Sequence, residues 1–132
     1  MPVDHISVKL STASASNTGQ AYIGAWDTYV VAEPGTIFAA AAVAQSVTSA
    51  ARVNTADIYL QPSGVSGASN TATSVLVAPL AIASNNAVSV GQIRASNQRV
   101  AVGDQLQLKT DTALSGSLGF VGLTATVLIK PD

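Results

Sequence analysis

The sequence predicts an all-β domain of about eight short antiparallel strands, arranged as a two-sheet sandwich or a small barrel. Segments rich in β-branched and aromatic residues recur roughly every ten residues, separated by Gly, Pro, Asn and Ser loops. No segment strongly predicts a helix. The length of 132 residues suits one domain, and 48% hydrophobic residues are enough to form a core.

The first strands after residue 20 surround a Pro-Gly turn. Asp27–Val31 is rich in β-branched and aromatic residues, and Glu33-Pro34-Gly35 then predicts a turn. The segment Thr36–Val47 is ambiguous, because its alanine run favours a helix. The preceding turn, the β-branched residues at both ends and the lack of capping residues favour a strand followed by a loop.

The middle of the chain predicts shorter strands. Ala56–Gln61 alternates apolar and polar residues and ends at a Pro-Ser-Gly turn. Ser74–Ile82 is apolar but is interrupted by Pro79, which predicts an edge strand or two short strands. A further short apolar set follows: Val88, Val90 and Ile93.

The clearest strands lie near the end of the chain. Within Val100–Thr110, Gly103-Asp104 predicts a turn or bulge, and strict alternation follows it. That alternation directs Leu106 and Leu108 into the core and directs Gln105, Gln107 and Lys109 into water. The last strand, Leu123–Lys130, directs four apolar residues to one face: Leu123, Ala125, Val127 and Ile129.

Four of these segments occur in a recognisable order. Glu33–Ile37 opens a strand, Asp57–Leu60 and Val100–Leu108 follow, and Leu123–Pro131 closes the chain. This order resembles that of small jelly-roll virion proteins of tailed bacteriophages. In that group a Pro-Gly-Thr-Ile-like step, a Val-x-x-Gly-Asp-x-Leu-x-Leu-like step and a terminal apolar strand recur. The resemblance covers residues 28–131.

The resemblance implies a β-sandwich of jelly-roll type and a non-enzymatic structural protein of the virion. It implies a capsid decoration or cement protein that stabilises the capsid exterior as a homotrimer bound to the major capsid protein. Two features depart from the pattern. They are the alanine run at 39–42 and the polar leader before residue 20.

The leader divides the chain into two expected parts. Residues 11–20 are small and polar, so residues 1–19 are expected to form an extended arm or linker, and residues 20–132 the jelly-roll domain. Ile6, Val8 and Leu10 alternate with polar residues. They form either a short strand or an arm that docks on the capsid, unless this end is frayed.

Composition excludes several classes of function. Only 10% of residues are charged and the net charge is −1, which leaves no basic surface for nucleic acid. No apolar run is long enough to span a membrane. Cysteine is absent and His5 is the single histidine, so no metal site, cofactor or catalytic triad is expected. The carboxylates considered for glycoside hydrolysis belong to no motif: Asp27, Glu33, Asp57, Asp104 and Asp111.

Association with other subunits is expected on two grounds. A chain with so few charges exposes apolar surface, and Ser74–Ile82 is apolar on both strand faces. Trp26 and its neighbouring tyrosines are either a core or interface cluster or a platform for stacking sugars. An exposed Trp26 would favour the alternative function, a carbohydrate- or receptor-binding module of a phage tail or fibre. The predicted interface residues are Trp26, Tyr29, Val75, Leu76, Val77 and Leu80.

Overall fold

The computed structural model describes residues 5–11, 27–47, 55–62, 72–82, 85–110 and 120–132. These residues form two antiparallel β-sheets and one short turn of 3-10 helix, Ala95–Asn97. The strands are β1 (Ile6–Ser11), β2 (Asp27–Val30), β3 (Gly35–Val47), β4 (Thr55–Gln61), β5 (Thr73–Ser74), β6 (Leu80–Ala81), β7 (Ser89–Gly91), β8 (Arg99–Val100), β9 (Gln105–Thr110) and β10 (Phe120–Pro131). This part of the chain contains no helix able to cross a membrane.

The strand order is that of a jelly roll. Sheet A has the order β1-β10-β3, with β7 and β8 both along the other edge of β3. Sheet B has the order β2-β9-β4, with β5 and β6 both along the other edge of β4. The ten described strands therefore occupy eight positions, four in each sheet. The predicted two-sheet sandwich of about eight strands is confirmed.

Alternating side chains fill the space between the sheets. Leu106 and Leu108 are buried on β9, and so are the four apolar residues of β10 that were predicted to share one face. Gln105, Gln107 and Lys109 lie on the opposite face of β9, but they are half-buried rather than fully in water. The reason is that β9 lies between β2 and β4, whose side chains cover part of its outer surface.

The alanine run forms the middle of the long strand β3. It pairs with β10 on one side and with β7 and β8 on the other, so the sheet hydrogen bonds outweigh the helix propensity of alanine. A bulge lies where Ile37 pairs with Ile129 but Ala39 pairs with Leu128. Phe38 is the extra residue. The predicted strand is confirmed, but the loop expected after it within this segment is wrong, because β3 continues to Val47.

The segment that contains Pro79 joins the two sheets. Its residue Leu76 forms a bridge with Ile93, next to sheet A. The Val75 N–H donates to the Ile58 carbonyl of sheet B at 2.9 Å, and the Arg94 N–H donates to the Val75 carbonyl at 2.7 Å. Because the segment crosses between sheets, side chains that would face opposite ways in one strand enter a common core.

The predicted Gly103-Asp104 turn is confirmed. Gly103 has a φ of 92°, a conformation that glycine adopts at little cost. The Asp104 side chain accepts a hydrogen bond from the Ala101 N–H at 2.9 Å, and the Val31 N–H donates to the Asp104 carbonyl at 2.8 Å. The turn therefore fixes the start of β9 against the end of β2.

Candidate functional site

The centre of the outer face of sheet A carries no charged side chain among the described residues. Its central outward positions carry small apolar, threonine or larger apolar side chains. These are Phe38, Ala39, Ala41, Val43, Val90, Thr124, Thr126 and Leu128. They form rows across the sheet, such as the row in which Ala41 lies between Thr126 and Val90. We call these eight residues the apolar face.

Two side chains project furthest from the apolar face. Val90 is 77% exposed on the edge strand β7, and Phe38 is 49% exposed at the bulge of β3. The His5 ring packs edge-on against Phe38, with 6.4 Å between ring centroids. Two of the described large apolar side chains that are exposed therefore lie on this face, and exposed apolar surface of this kind is typical of an interaction site.

The charges around the apolar face are mainly positive. Lys9 on β1 and Lys130 on β10 point outward from sheet A and are exposed. Lys9 lies next to Thr126, and Lys130 lies next to Thr36. On β8 of the same sheet, Arg99 lies next to Thr36 and forms an ion pair at 2.6 Å with Asp132, which follows β10. The rim of the apolar face therefore carries two exposed lysines and one arginine–aspartate pair, with an excess of positive charge.

The outer face of sheet B is more polar, although Val30 on β2 is exposed there. One row across it carries Thr28, Gln107, Tyr59 and Ser74. The Lys109 Nζ lies 4.8 Å from the centroid of the Tyr59 ring. This ammonium group occupies one side of the ring that a stacked sugar would need.

A half-buried carboxylate lies at the edge of that polar face. Asp57 Oδ1 accepts hydrogen bonds from Ser74 Oγ at 2.6 Å and from the Ile58 N–H at 2.8 Å. Burial raises the pKa of Asp57 above its ordinary value, although Ser74, the Ile58 N–H and the Arg94 charge act in the opposite direction. The Arg94 guanidinium donates to the Leu76 carbonyl at 3.2 Å, so these contacts reinforce the joint between the sheets.

Asp57 is expected to make stability depend on pH. A carboxyl whose pKa is raised by folding stabilises the fold most below its unfolded pKa, and this contribution is lost as pH rises through the folded pKa. Urea unfolding of wild type and Asp57→Asn at pH 3.5 and pH 7 should show wild type gaining stability relative to the variant at the lower pH. The cations that face this carboxyl are Arg94 and the cross-strand neighbour Lys109. A gain at pH 7 instead would show that pairing with these cations outweighs burial.

The structure resolves the two alternatives for Ile6, Val8 and Leu10. They belong to β1, which pairs along its length with β10. Val8 and Leu10 are 3% and 1% exposed in the core, and Ile6 packs against it. The expectation that these side chains dock on a capsid is therefore wrong, because the chain's own core already covers them. The expected arm boundary at residue 19 lies outside the described residues.

The predicted interface is also corrected. Val75, Leu76 and Leu80 lie in the core, because their segment crosses between the sheets instead of forming a strand with two covered faces. Tyr29 is half-buried and packs against the core. Val77 is exposed, so its side chain is accessible to a partner subunit. Trp26 lies outside the described residues.

Sequence reasoning missed the apolar face itself. Val88 and Val90 were predicted as part of an apolar strand, but they are exposed, and only Ile93 of that set packs against the core. One signal was available in β10. Its outward residues Thr124, Thr126 and Leu128 lack charge, whereas an outer strand face normally carries charged or strongly polar residues.

Comparisons with known proteins give one structural likeness. No family model matches the chain, and no curated protein matches it. Among solved structures, a chain of the capsid of Ralstonia phage GP4 is similar, with a TM-score of 0.62 and 15% sequence identity. The match covers 98% of this chain and 86% of that chain. At this identity the likeness shows a common fold.

Proposed function

We propose that this chain is a non-enzymatic structural protein of a phage virion that decorates and stabilises the capsid exterior. Its partners are the major capsid protein and two further copies of itself in a homotrimer. The fold shared along nearly the whole chain with a phage capsid protein is the observation that carries this proposal. The apolar face supports it, because an assembly protein needs uncharged surface to bury.

The contribution of such a protein is mechanical. Burying apolar surface contributes about 2–3 kcal/mol for each 100 Å² before the costs of association are subtracted. A decoration protein repeats that contact at every equivalent lattice position. Many weak contacts of this kind would hold neighbouring shell subunits together without any chemical step.

The geometry of sheet B favours this function over a sugar-binding module. Aromatic rings that stack on sugars need an open side, and Lys109 lies over the half-buried ring of Tyr59. The polar side chains around Tyr59 also contact each other, as Gln107 Nε2 donates to Gln105 Oε1 at 3.2 Å. These contacts therefore cover part of the ring surface that a sugar would stack on at this position.

The proposal predicts a trimer that binds capsids. Light scattering of the purified chain should give three times the subunit mass of 13.2 kDa. The trimer should co-sediment with capsids that were assembled without it, reach saturation, and raise the temperature at which those capsids release their DNA. Absence of co-sedimentation would overturn the proposed function. A monomer or dimer that still co-sediments would overturn only the trimer.

A further inference from the structure

We propose that the apolar face is the surface that docks on the capsid shell. The shell surface opposite it is apolar at its centre and carries carboxylates that face Lys9 and Lys130. This inference rests on the proposed function and adds to it the docking surface and the chemistry of the partner.

The whole outer face of sheet A, which contains the apolar face at its centre, is large enough for a specific contact. Four strand positions about 4.8 Å apart and about ten residues of about 3.3 Å each give a sheet face of about 600 Å². A standard interface buries about 800 Å² on each partner. Sheet A therefore supplies most of the area that such a contact needs, without rearrangement of the fold.

The shape of the apolar face fits sheet-like or flat partners. The central side chains Ala39, Ala41 and Thr126 are small, so a partner can approach the backbone closely. Phe38 at the bulge of β3 and Val90 on β7, opposite Ala41, are the most exposed apolar side chains of this face. A partner surface that covers the face buries both of them.

The charges indicate a partner that is not a second copy of this face. Two copies packed face to face would bring together four lysines, two each of Lys9 and Lys130. The carboxylate at this end of sheet A, Asp132, is already paired with Arg99 of its own subunit, so a second copy brings no excess carboxylate to neutralise them. Like charges without counter-charges oppose association. A two-fold pairing of identical faces also forms a closed dimer, which cannot by itself build a trimer.

A partner surface that carries carboxylates can form ion pairs with Lys9 and Lys130. Each lysine has a long flexible stem, so its ammonium can reach a carboxylate at the rim while the centre stays dry. Rim charges of this kind act mainly on the association rate and make binding depend on salt. Docking on the shell is therefore expected to weaken as ionic strength rises.

Three variants test the docking face by co-sedimentation with capsids that were assembled without this chain. Ala41→Glu places a carboxylate at the centre of the face and is expected to weaken capsid binding at least about 30-fold. The double variant Lys9→Glu with Lys130→Glu is expected to weaken it about tenfold and to remove most of its salt dependence. Thr28→Glu, which adds the same carboxylate to exposed β2 of sheet B, should bind within about twofold of wild type.

The outcomes separate the two proposals. If wild type fails to co-sediment, both the capsid function and its docking face are overturned. If wild type binds and Ala41→Glu and the lysine variant bind equally well, only the docking face is overturned. If Ala41→Glu dissociates the trimer in light scattering, the face joins copies of this chain, which also overturns the inference. Circular dichroism checks folding, and the lysine variant changes only exposed side chains.

Discussion

Replacing Leu106 with Asp is expected to abolish folding. Leu106 is fully buried at the centre of sheet B, where β9 pairs it with Tyr29 on one side and Leu60 on the other. A charged, unpaired carboxylate in this apolar setting lowers the free energy of unfolding by several kcal/mol. Protonating the carboxylate to remove its charge also costs several kcal/mol. Natural domains have about 5–15 kcal/mol of stability in total, so this one change removes most of it. Circular dichroism and urea unfolding will measure the loss.

The matched control is Gln105→Asp, one residue earlier on the same strand. Gln105 points to the outer face and is half-buried beside Gln107. The same new charge there can remain hydrated, so stability should change by about 1 kcal/mol or less. Equal losses in the two variants would contradict the register of β9, because a shift of one residue exchanges its inner and outer faces.

The strands that the sequence predicted most accurately are those with a local signal. In β9 and β10 every second residue is apolar, and this period of two directs side chains to one face wherever the strand lies in the sheet. The Gly103-Asp104 turn is equally local, since a single glycine and one aspartate side chain determine it. Such features need no knowledge of the rest of the chain.

The errors arose where the outcome depends on distant partners. Val8 and Leu10 have the alternation of a strand, but only pairing with β10, more than 100 residues later, shows that this strand belongs to the same subunit's core. Leu76 and Leu80 looked like an uncovered strand face for a similar reason. The chain around them leaves sheet B to form a bridge with Ile93, which follows β7 of sheet A, and no local pattern indicates that crossing.

The apolar face depends both on local alternation within strands and on pairing between strands that are distant in sequence. Each of its rows joins residues from separate parts of the sequence, as in Thr126, Ala41 and Val90. The bulge at Phe38 then changes which alanines point outward, because it shifts the alternation of β3 by one residue. The individual strands were predictable, but their joint outer surface was not.

The second large effect is expected at Gly35, where β3 begins between β10 and β8. Gly35 pairs with Pro131 and Val100. A Cβ at this position would lie 2.5 Å from the Lys130 carbonyl oxygen and 2.8 Å from Ile129 Cγ2. The carbonyl belongs to the paired backbone of β10, so it cannot move without disturbing the ladder. Gly35→Ala is therefore expected to destabilise the chain by about 2–3 kcal/mol in urea unfolding.

Gly91→Ala is the matched control, because it makes the same substitution in sheet A. Gly91 lies on β7, which pairs with the same edge of β3 as β8 does. Its Cβ would lie 2.8 Å from Leu76 Cδ2 and 3.0 Å from Leu80 Cδ2. Both atoms are the ends of leucine side chains, which can shift within the core more easily than a paired backbone carbonyl can, and alanine also restricts the unfolded chain. The cost at Gly91 should therefore be about 1 kcal/mol or less. If Gly35→Ala costs no more than Gly91→Ala, the close approach of β3 to β10 at Gly35 is not a constraint on the fold.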